Sequence, residues 1–321
     1  MTSCPDPKCG APTLTCRMGE ATPTDCPVWS AKKNGAKDDA SGDDALGMVR
    51  LPWSGAALGS AGLAFLTGRG DPCVVALVGS HNAGKSTLLG LIYQQVGRSG
   101  AIAGSPFAGS YSLEGWEAIA HALRWEGNVP RFPAHTTSGG GRAPGFLHLA
   151  RRDGEGALVD VLFADSPGEW FQRWAIEPGA ADAEGARWLA ERASVIVVVV
   201  DCDALSGEKR GQARSDTIQL LRRVAVGRCE RPVALLWAKA DEVVSPAIRE
   251  AVREAARRVM PDIVEFETSV VPFKRDDKTI EPGHAIARVV DWMIGPRDRG
   301  FTLPSPSPHH SDPFFAIGNA I

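Results

Sequence analysis

An open α/β sheet of mostly parallel strands, doubly wound with helices on both faces, is the fold this sequence predicts. Three observations predict it. Short apolar runs alternate with helical stretches from residue 71 to 293, the pattern of βαβ units. Several runs are nearly continuous, above all Val195-Ile196-Val197-Val198-Val199-Val200, as a strand covered on both faces requires. A glycine-containing turn, Gly79 to Gly84, joins one run directly to a helical stretch.

The expected strands, in chain order, are Cys73–Val78, Gly145–Arg151, Ala157–Ala164, Ser194–Asp201, Val233–Lys239 and Ile263–Val271. Between them the helical stretches are Lys85–Val96, Asp182–Arg192, Ala213–Val226, Ser245–Val259 and Ile280–Met293. Asp182 and Ser245 have side chains suited to N-caps of their helices. A further stretch, Leu113–Trp125, places Trp116, Ile119, Ala120, Leu123 and Trp125 near one helical face.

Composition divides the rest. Residues 1–30 form a Cys- and Pro-rich head, and 31–70 a linker and connector leading into the 71–293 domain. Residues 294–321 carry Pro296, Pro304, Pro306, Pro308 and Pro313 and read as a disordered tail. Within the connector, Leu51–Gly68 is uncharged, but six of its eighteen residues are Gly or Ser. It reads as a segment packed on the next domain, not as a membrane span.

The formal net charge of −3 excludes a strongly basic nucleic-acid footprint and gives no polybasic membrane anchor. The N-terminus shows no basic stretch followed by an apolar core. A cytoplasmic protein with reduced thiols is expected.

The turn Gly79-Ser80-His81-Asn82-Ala83-Gly84-Lys85-Ser86 fits G-x-x-x-x-G-K-[ST], with a strand before it and a helix after it, through Thr87. Glycines let the backbone bend so that its N–H groups point at phosphate oxygens, and the helix N-terminus adds positive potential. Lys85 is expected to reach the β/γ-phosphates and Ser86 to ligate Mg²⁺. The fold expected is therefore the P-loop NTPase version of the doubly wound sheet, with a small Cys-rich head. Downstream, the apolar run 158–164 ends in Asp165-Ser166-Pro167-Gly168. That places a carboxylate at the strand's C-terminal edge, where ligands sit in open α/β sheets. Asp165 can join the Mg²⁺ shell, and Gly168 can offer its N–H to a γ-phosphate.

On these residues the chain resembles the translation-factor and Ras-like class of P-loop GTPases, in which Asp-x-x-Gly is the second switch. That class usually has a water-orienting Gln after the Gly; here Glu169 stands there. A carboxylate so close to a γ-phosphate is repelled unless it is protonated or paired. Gln172 and Arg173 are candidates for the missing function, set against plain exposure on a solvated helix face. Ala238-Lys239-Ala240-Asp241 resembles the base-specificity element of the same class. Asp241 would accept guanine N1–H and N2–H₂, a donor pair adenine lacks, while Lys239 lies along the base. Ala238 cannot make the polar bond back to the phosphate loop that the usual residue makes, so weaker nucleotide affinity is expected. Phe266-Glu267-Thr268-Ser269-Val270 resembles the element that completes the site, with a backbone N–H near Ser269–Val270 directed at guanine O6.

The first switch requires a Thr, and His135-Thr136-Thr137-Ser138 before the second strand supplies two, Thr136 and Thr137. The long insertion before it, with Phe107-Ala108-Gly109-Ser110 and the 113–125 helix, is similar to the bacterial double-GTPase type family, as is the Asp-x-x-Gly-Glu switch. The resemblance covers about 70–293. It implies a regulatory GTPase using GTP/GDP and Mg²⁺, whose conformation is read by a protein effector or activating partner. Lys85, Glu169 and Thr136 or Thr137 are the implied catalytic residues, and Arg142 or Arg173 the cis candidates for extra charge. Slow hydrolysis is expected. A nucleotide-holding adaptor that does not hydrolyse, or an ATP-using P-loop protein, are the alternatives.

Cys4, Cys9, Cys16 and Cys26 provide the four thiols of a tetrahedral Zn²⁺ site. Unliganded thiols and a redox role are the other readings of the same residues.

Overall fold

A computed structural model describes residues 57–68, 70–123, 145–275 and 277–295. The chain enters through a short helix, α1 (Ser60–Thr67), and the strand β1 (Cys73–Val78) leads through the phosphate loop into α2 (Lys85–Ser99). Next come β2 (Ala101–Ile102), β3 (Ser105–Gly109), α3 (Leu113–Ala122), β4 (Gly145–Arg152), β5 (Leu158–Asp165) and α4 (Gly168–Ile176). A 3₁₀ turn (Ala181–Ala183) precedes α5 (Glu184–Arg192), β6 (Val195–Asp201), α6 (Cys202–Ser206) and α7 (Arg210–Gly227). The remainder is β7 (Val233–Ala238), α8 (Pro246–Val259), β8 (Val264–Glu267), the hairpin β9 (Phe273–Arg275) and β10 (Lys278–Ile280), and α9 (Pro282–Ile294).

Among the described residues the main sheet runs β2-β3-β4-β5-β1-β6-β7-β8. From β5 to β8 all neighbours are parallel; β4 joins β5, and β3 joins β4, antiparallel. The centre is the most apolar part of the sequence. Every residue of β6 and of β7 is buried. Their side chains alternate as the pleat demands. Ile196, Val198 and Val200 face the core shared with Leu66 of α1, Trp174 of α4, Leu189 of α5, Leu221 of α7 and Val252 of α8. Val195, Val197 and Val199 face the other layer, with Ile92 of α2, Trp116 of α3 and Val289 of α9. The doubly wound sheet predicted from the sequence is the observed architecture.

Element boundaries differ from expectation where local chemistry decides. Asp182 does not cap α5, whose N-cap, Ala183, has no side-chain bond; its carboxylate instead lies 3.4 Å from Arg173 Nε. Ser245 does cap α8, its Oγ accepting the Ile248 N–H at 3.4 Å, with Pro246 at the first helical position. The described part of the connector touches the domain at two points. Leu58 exchanges backbone hydrogen bonds with Phe146 of β4, and Leu66 is fully buried. Among the described residues no helix is long and apolar enough to cross a membrane.

The insertion adds the edge strands β2 and β3, then α3. Its anchor is a buried polar cluster. His148 Nδ1 accepts the Tyr111 N–H at 3.0 Å, so its proton sits on Nε2, which donates to Asp160 Oδ1 at 2.8 Å. Trp116 Nε1 donates to the His148 carbonyl. Position 90 of α2 is glycine, and a Cβ there would lie 2.0 Å from the tip of Leu123, the C-cap residue of α3. Thr136, Thr137, Arg142 and Trp125 lie outside the described residues, as do Cys4, Cys9, Cys16, Cys26 and residues 296–321.

Candidate active site

A cleft of about 660 Å³ opens at the C-terminal edge of the sheet. It lies beside β1, whose neighbours β5 and β6 carry the chain to opposite sides; such a switch point is where α/β sheets take ligands. Five segments of the sequence line it: 81–88 of the phosphate loop and helix, Ser166 and Gly168, Asp203, Lys239 with Asp241, and 268–270.

The phosphate loop bends at Asn82 and Gly84, with φ of 61° and 93°. Gly84 is the N-cap of α2 and supplies no side-chain bond, so the first-turn amides are left for a ligand. Gly79 lies beneath the loop, and a Cβ there would sit 2.7 Å from the Val199 carbonyl. Lys85 folds back under the turn. Its ammonium donates to the carbonyls of Gly79 at 3.0 Å and Ser80 at 2.8 Å, and only 7% of the residue is exposed. Burial lowers its pKa to about 8, although the nearby Asp165 and Glu169 carboxylates favour its charge.

Ser86 Oγ donates to Asp165 Oδ1 at 3.1 Å, which brings a hydroxyl and a carboxylate together from two elements. Ser166, next in the chain, is 1% exposed, and its hydroxyl has no hydrogen-bond partner among the described residues. Hard oxygen donors and an orphaned hydroxyl at a cleft suit a hydrated Mg²⁺.

Gly168 is pressed onto the phosphate loop. A Cβ at that position would lie 2.2 Å from the His81 nitrogen and 2.5 Å from its Cα, contacts that only backbone movement can relieve. Gly168→Ala is therefore expected to lower stability by about 1–3 kcal/mol and to part the second switch from the loop. Thermal melting and GTP dissociation of the variant check this; unchanged values for both would show the contact to be soft. Across the same contact, His81 Nδ1 stands 3.1 Å from Glu169 Oε1.

At the other end of the cleft, Asp241 Oδ1 accepts the Ser269 hydroxyl at 2.5 Å, and Ser269 Oγ accepts the Val271 N–H at 3.1 Å. The loops carrying them are stitched together by Ala240 N–H to Thr268 O and Thr268 N–H to Trp237 O. Lys239 has φ of 55°, and its ammonium is 2.9 Å from Asp201 Oδ2 and 3.4 Å from Asp203 Oδ2. Ala238 sits beneath Gly84, its methyl 3.6 Å from where a Cβ at 84 would be.

Sequence reasoning missed Asp201, Asp203 and Arg275. Arg275 Nη2 donates to the Ala240 carbonyl at 3.2 Å and its Nε to Glu267 at 2.7 Å. Glu267 also pairs with Arg249, whose guanidinium lies 4.4 Å from the Trp237 ring centroid. The acidic end of the valine run was the available signal for Asp201; nothing in the spacing marks Arg275. Gln172 is exposed, and Arg173 pairs with Glu177 at 2.6 Å and with Asp182. Neither lines the cleft.

A family model described as Double-GTPase 2 matches residues 73–293. No curated protein matches the chain. Among solved structures, nucleolar GTP-binding protein 1 from Plasmodium falciparum is 14% identical with a TM-score of 0.39, over 69% of this chain and 84% of that one. An ADP-ribosylation-factor-like protein, the small COPII coat GTPase Sar1 from Encephalitozoon cuniculi in complex with GDP, is 15% identical with a TM-score of 0.32, over 70% and 79%. The GTP-bound Ski7 GTPase-like domain from S. cerevisiae is 13% identical with a TM-score of 0.40, over 74% of this chain and 53% of that one. The family match spans the phosphate loop, the Asp-x-x-Gly turn and the Ala238–Asp241 turn, well over half of the sequence, and the chain belongs to the Double-GTPase 2 family of P-loop GTPases.

Proposed function

We propose that the protein binds GTP and GDP with Mg²⁺, hydrolyses GTP slowly, and passes the difference between the two states to a protein partner. The observation that carries this reading is the gathering of the phosphate loop, Gly168, Asp241 and Ser269 around one cleft. The α2 amides cradle phosphate oxygens, and Lys85 transfers its ammonium from the Gly79 and Ser80 carbonyls to them. Asp241, oriented by Ser269, takes the guanine edge, and the Lys239 stem, fixed by Asp201, lies along the base. Ser86 and Asp165, with Thr136 or Thr137 from the first switch, would hold Mg²⁺, which when bound offsets charge on the phosphate oxygens.

Slow turnover is inferred from the residues that follow Gly168 at the start of α4. Glu169 occupies the place of a water-orienting Gln, and Arg173 is engaged by Glu177 and Asp182. Among the described residues no arginine lines the cleft, so an activating Arg would come from a partner or from Arg142. The Cys4, Cys9, Cys16 and Cys26 set carries the further proposal of a zinc-binding head, testable by metal analysis of the purified chain.

Competition of GTP, GDP and ATP for the purified protein with Mg²⁺, then single-turnover phosphate release, tests the reading. Guanine selectivity is expected, with release on the order of 10⁻³ per second. ATP preference would overturn the base-loop assignment. The Glu169 carboxylate favours one second reading, a nucleotide-holding adaptor; a sharp rise in hydrolysis in Glu169→Gln would select it.

A further inference from the structure

We propose that His81 is a positioning residue for Glu169: its imidazole holds that carboxylate at the phosphate end of the cleft, where it takes a proton from the water attacking the γ-phosphate. The inference rests on the GTP-hydrolysing reading above and adds a role for a side chain which that reading uses only for its backbone.

Two elements meet at this point with no room between them. The Gly168 contact presses the start of α4 onto the phosphate loop at Ser80 and His81, so the next side chain of one faces the side chain of the other. His81 Nδ1 is 3.1 Å from Glu169 Oε1, with the side chains 40% and 50% exposed. His81 lines the cleft and Glu169 stands just behind it, outside the lining, but close enough to the Lys85 ammonium to favour its charge. A carboxylate at this distance from a phosphate-binding lysine is unfavourable beside a γ-phosphate unless it is paired, and the imidazole is its partner. With a proton on Nδ1 donated to Oε1, Oε2 is left for the water.

In the step this implies, the water oxygen bonds to the γ-phosphorus. The bond from that phosphorus to the β–γ bridging oxygen breaks, its electron pair leaving with GDP. The water's proton passes to Glu169, whose half-exposed carboxyl releases it to solvent, and the products are GDP and inorganic phosphate.

The test compares the full-length wild type with His81→Ala, His81→Asn, Glu169→Gln and the His81→Ala/Glu169→Gln double variant. GTP affinity and single-turnover phosphate release are both measured. His81→Ala is expected to slow release at saturating GTP about tenfold or more and, by leaving the Glu169 carboxylate unpaired, to weaken binding of GTP but not of GDP, which has no γ-phosphate and should bind within about twofold of the wild type. His81→Asn, whose amide N–H can replace Nδ1–H, should regain most of the rate. On the Glu169→Gln background, His81→Ala should add nothing. Additive losses, an Asn variant as slow as Ala, or an unaffected rate would overturn the inference alone, with GTP turnover by the wild type intact. Wild-type protein that binds no GTP, or holds it without release, would overturn the hydrolytic reading and this inference together.

Discussion

Asp241→Asn is expected to exchange guanine selectivity for xanthine selectivity. The wild-type carboxylate can accept two hydrogen bonds from guanine, at N1–H and N2–H₂, and hydrogen bonds to a charged group contribute about 1.5–3 kcal/mol each. Removing both and opposing a donor to a donor should weaken GTP binding by roughly two to four orders of magnitude. Ser269 decides which way the new amide faces. Its hydroxyl donates to Oδ1 at 2.5 Å, and an amide oxygen can keep that bond where an amide nitrogen cannot. The Asn NH₂ is thereby directed at the base. It meets a donor in guanine but the C2 carbonyl of xanthine. Competition binding with GTP and XTP checks this. Ser269→Ala, which frees the carboxylate to turn but leaves its charge, should lose about tenfold in GTP affinity without changing the preferred base. If Asp241→Asn binds GTP as the wild type does, Asp241 is not the base reader.

The parts of this protein that sequence displays are those in which neighbours along the chain share one task. The valine run of β6 is buried on both faces and shows as seven consecutive apolar or terminal acidic residues. The phosphate loop must pack glycine, lysine and serine into one turn, so its pattern survives as a string. What stayed hidden joins residues across the sheet. Lys239 and Asp201 are thirty-eight positions apart, and they meet because β6 and β7 are parallel neighbours whose ends coincide, Asp201 opposite Ala238. Arg275 reaches Ala240 from the β9–β10 hairpin, which is too short to carry a periodic signal. The pairing of His81 with Glu169 depends on how closely Gly168 sits on the loop, a distance no spacing encodes. Asp182 shows the reverse case. Its type and place suit a cap, but Arg173, three residues before the end of α4, takes the same carboxylate.

Lys85→Met is expected to move nucleotide affinity and unliganded stability independently. The lysine pKa falls from 10.5 to about 8 in the fold, with desolvation the largest cause. The sign follows from proton binding. Between those two values the unfolded chain holds a proton that the folded one has released, so stability rises with pH across that window. Below about pH 8 the cost of keeping the buried charge is present in full, on the order of 3 kcal/mol. Methionine removes that charge and keeps the length of the stem. It also leaves the Gly79 and Ser80 carbonyls without their donor, which returns part of the gain. The unliganded variant should therefore melt no lower than the wild type at pH 7, and its stability should lose the rise between about pH 8 and 10.5. With GTP the balance reverses. Phosphate oxygens give the wild-type ammonium charge-assisted partners that the thioether cannot replace, and affinity should fall about a hundredfold or more. Melting curves with and without GTP, taken at pH 7 and pH 9, separate the two effects. A Met variant that is less stable without nucleotide would mean that Lys85 serves the loop as a structural donor more than it burdens it. The burial of its charge would then be a consequence of the fold, with no part in drawing phosphate into the cleft.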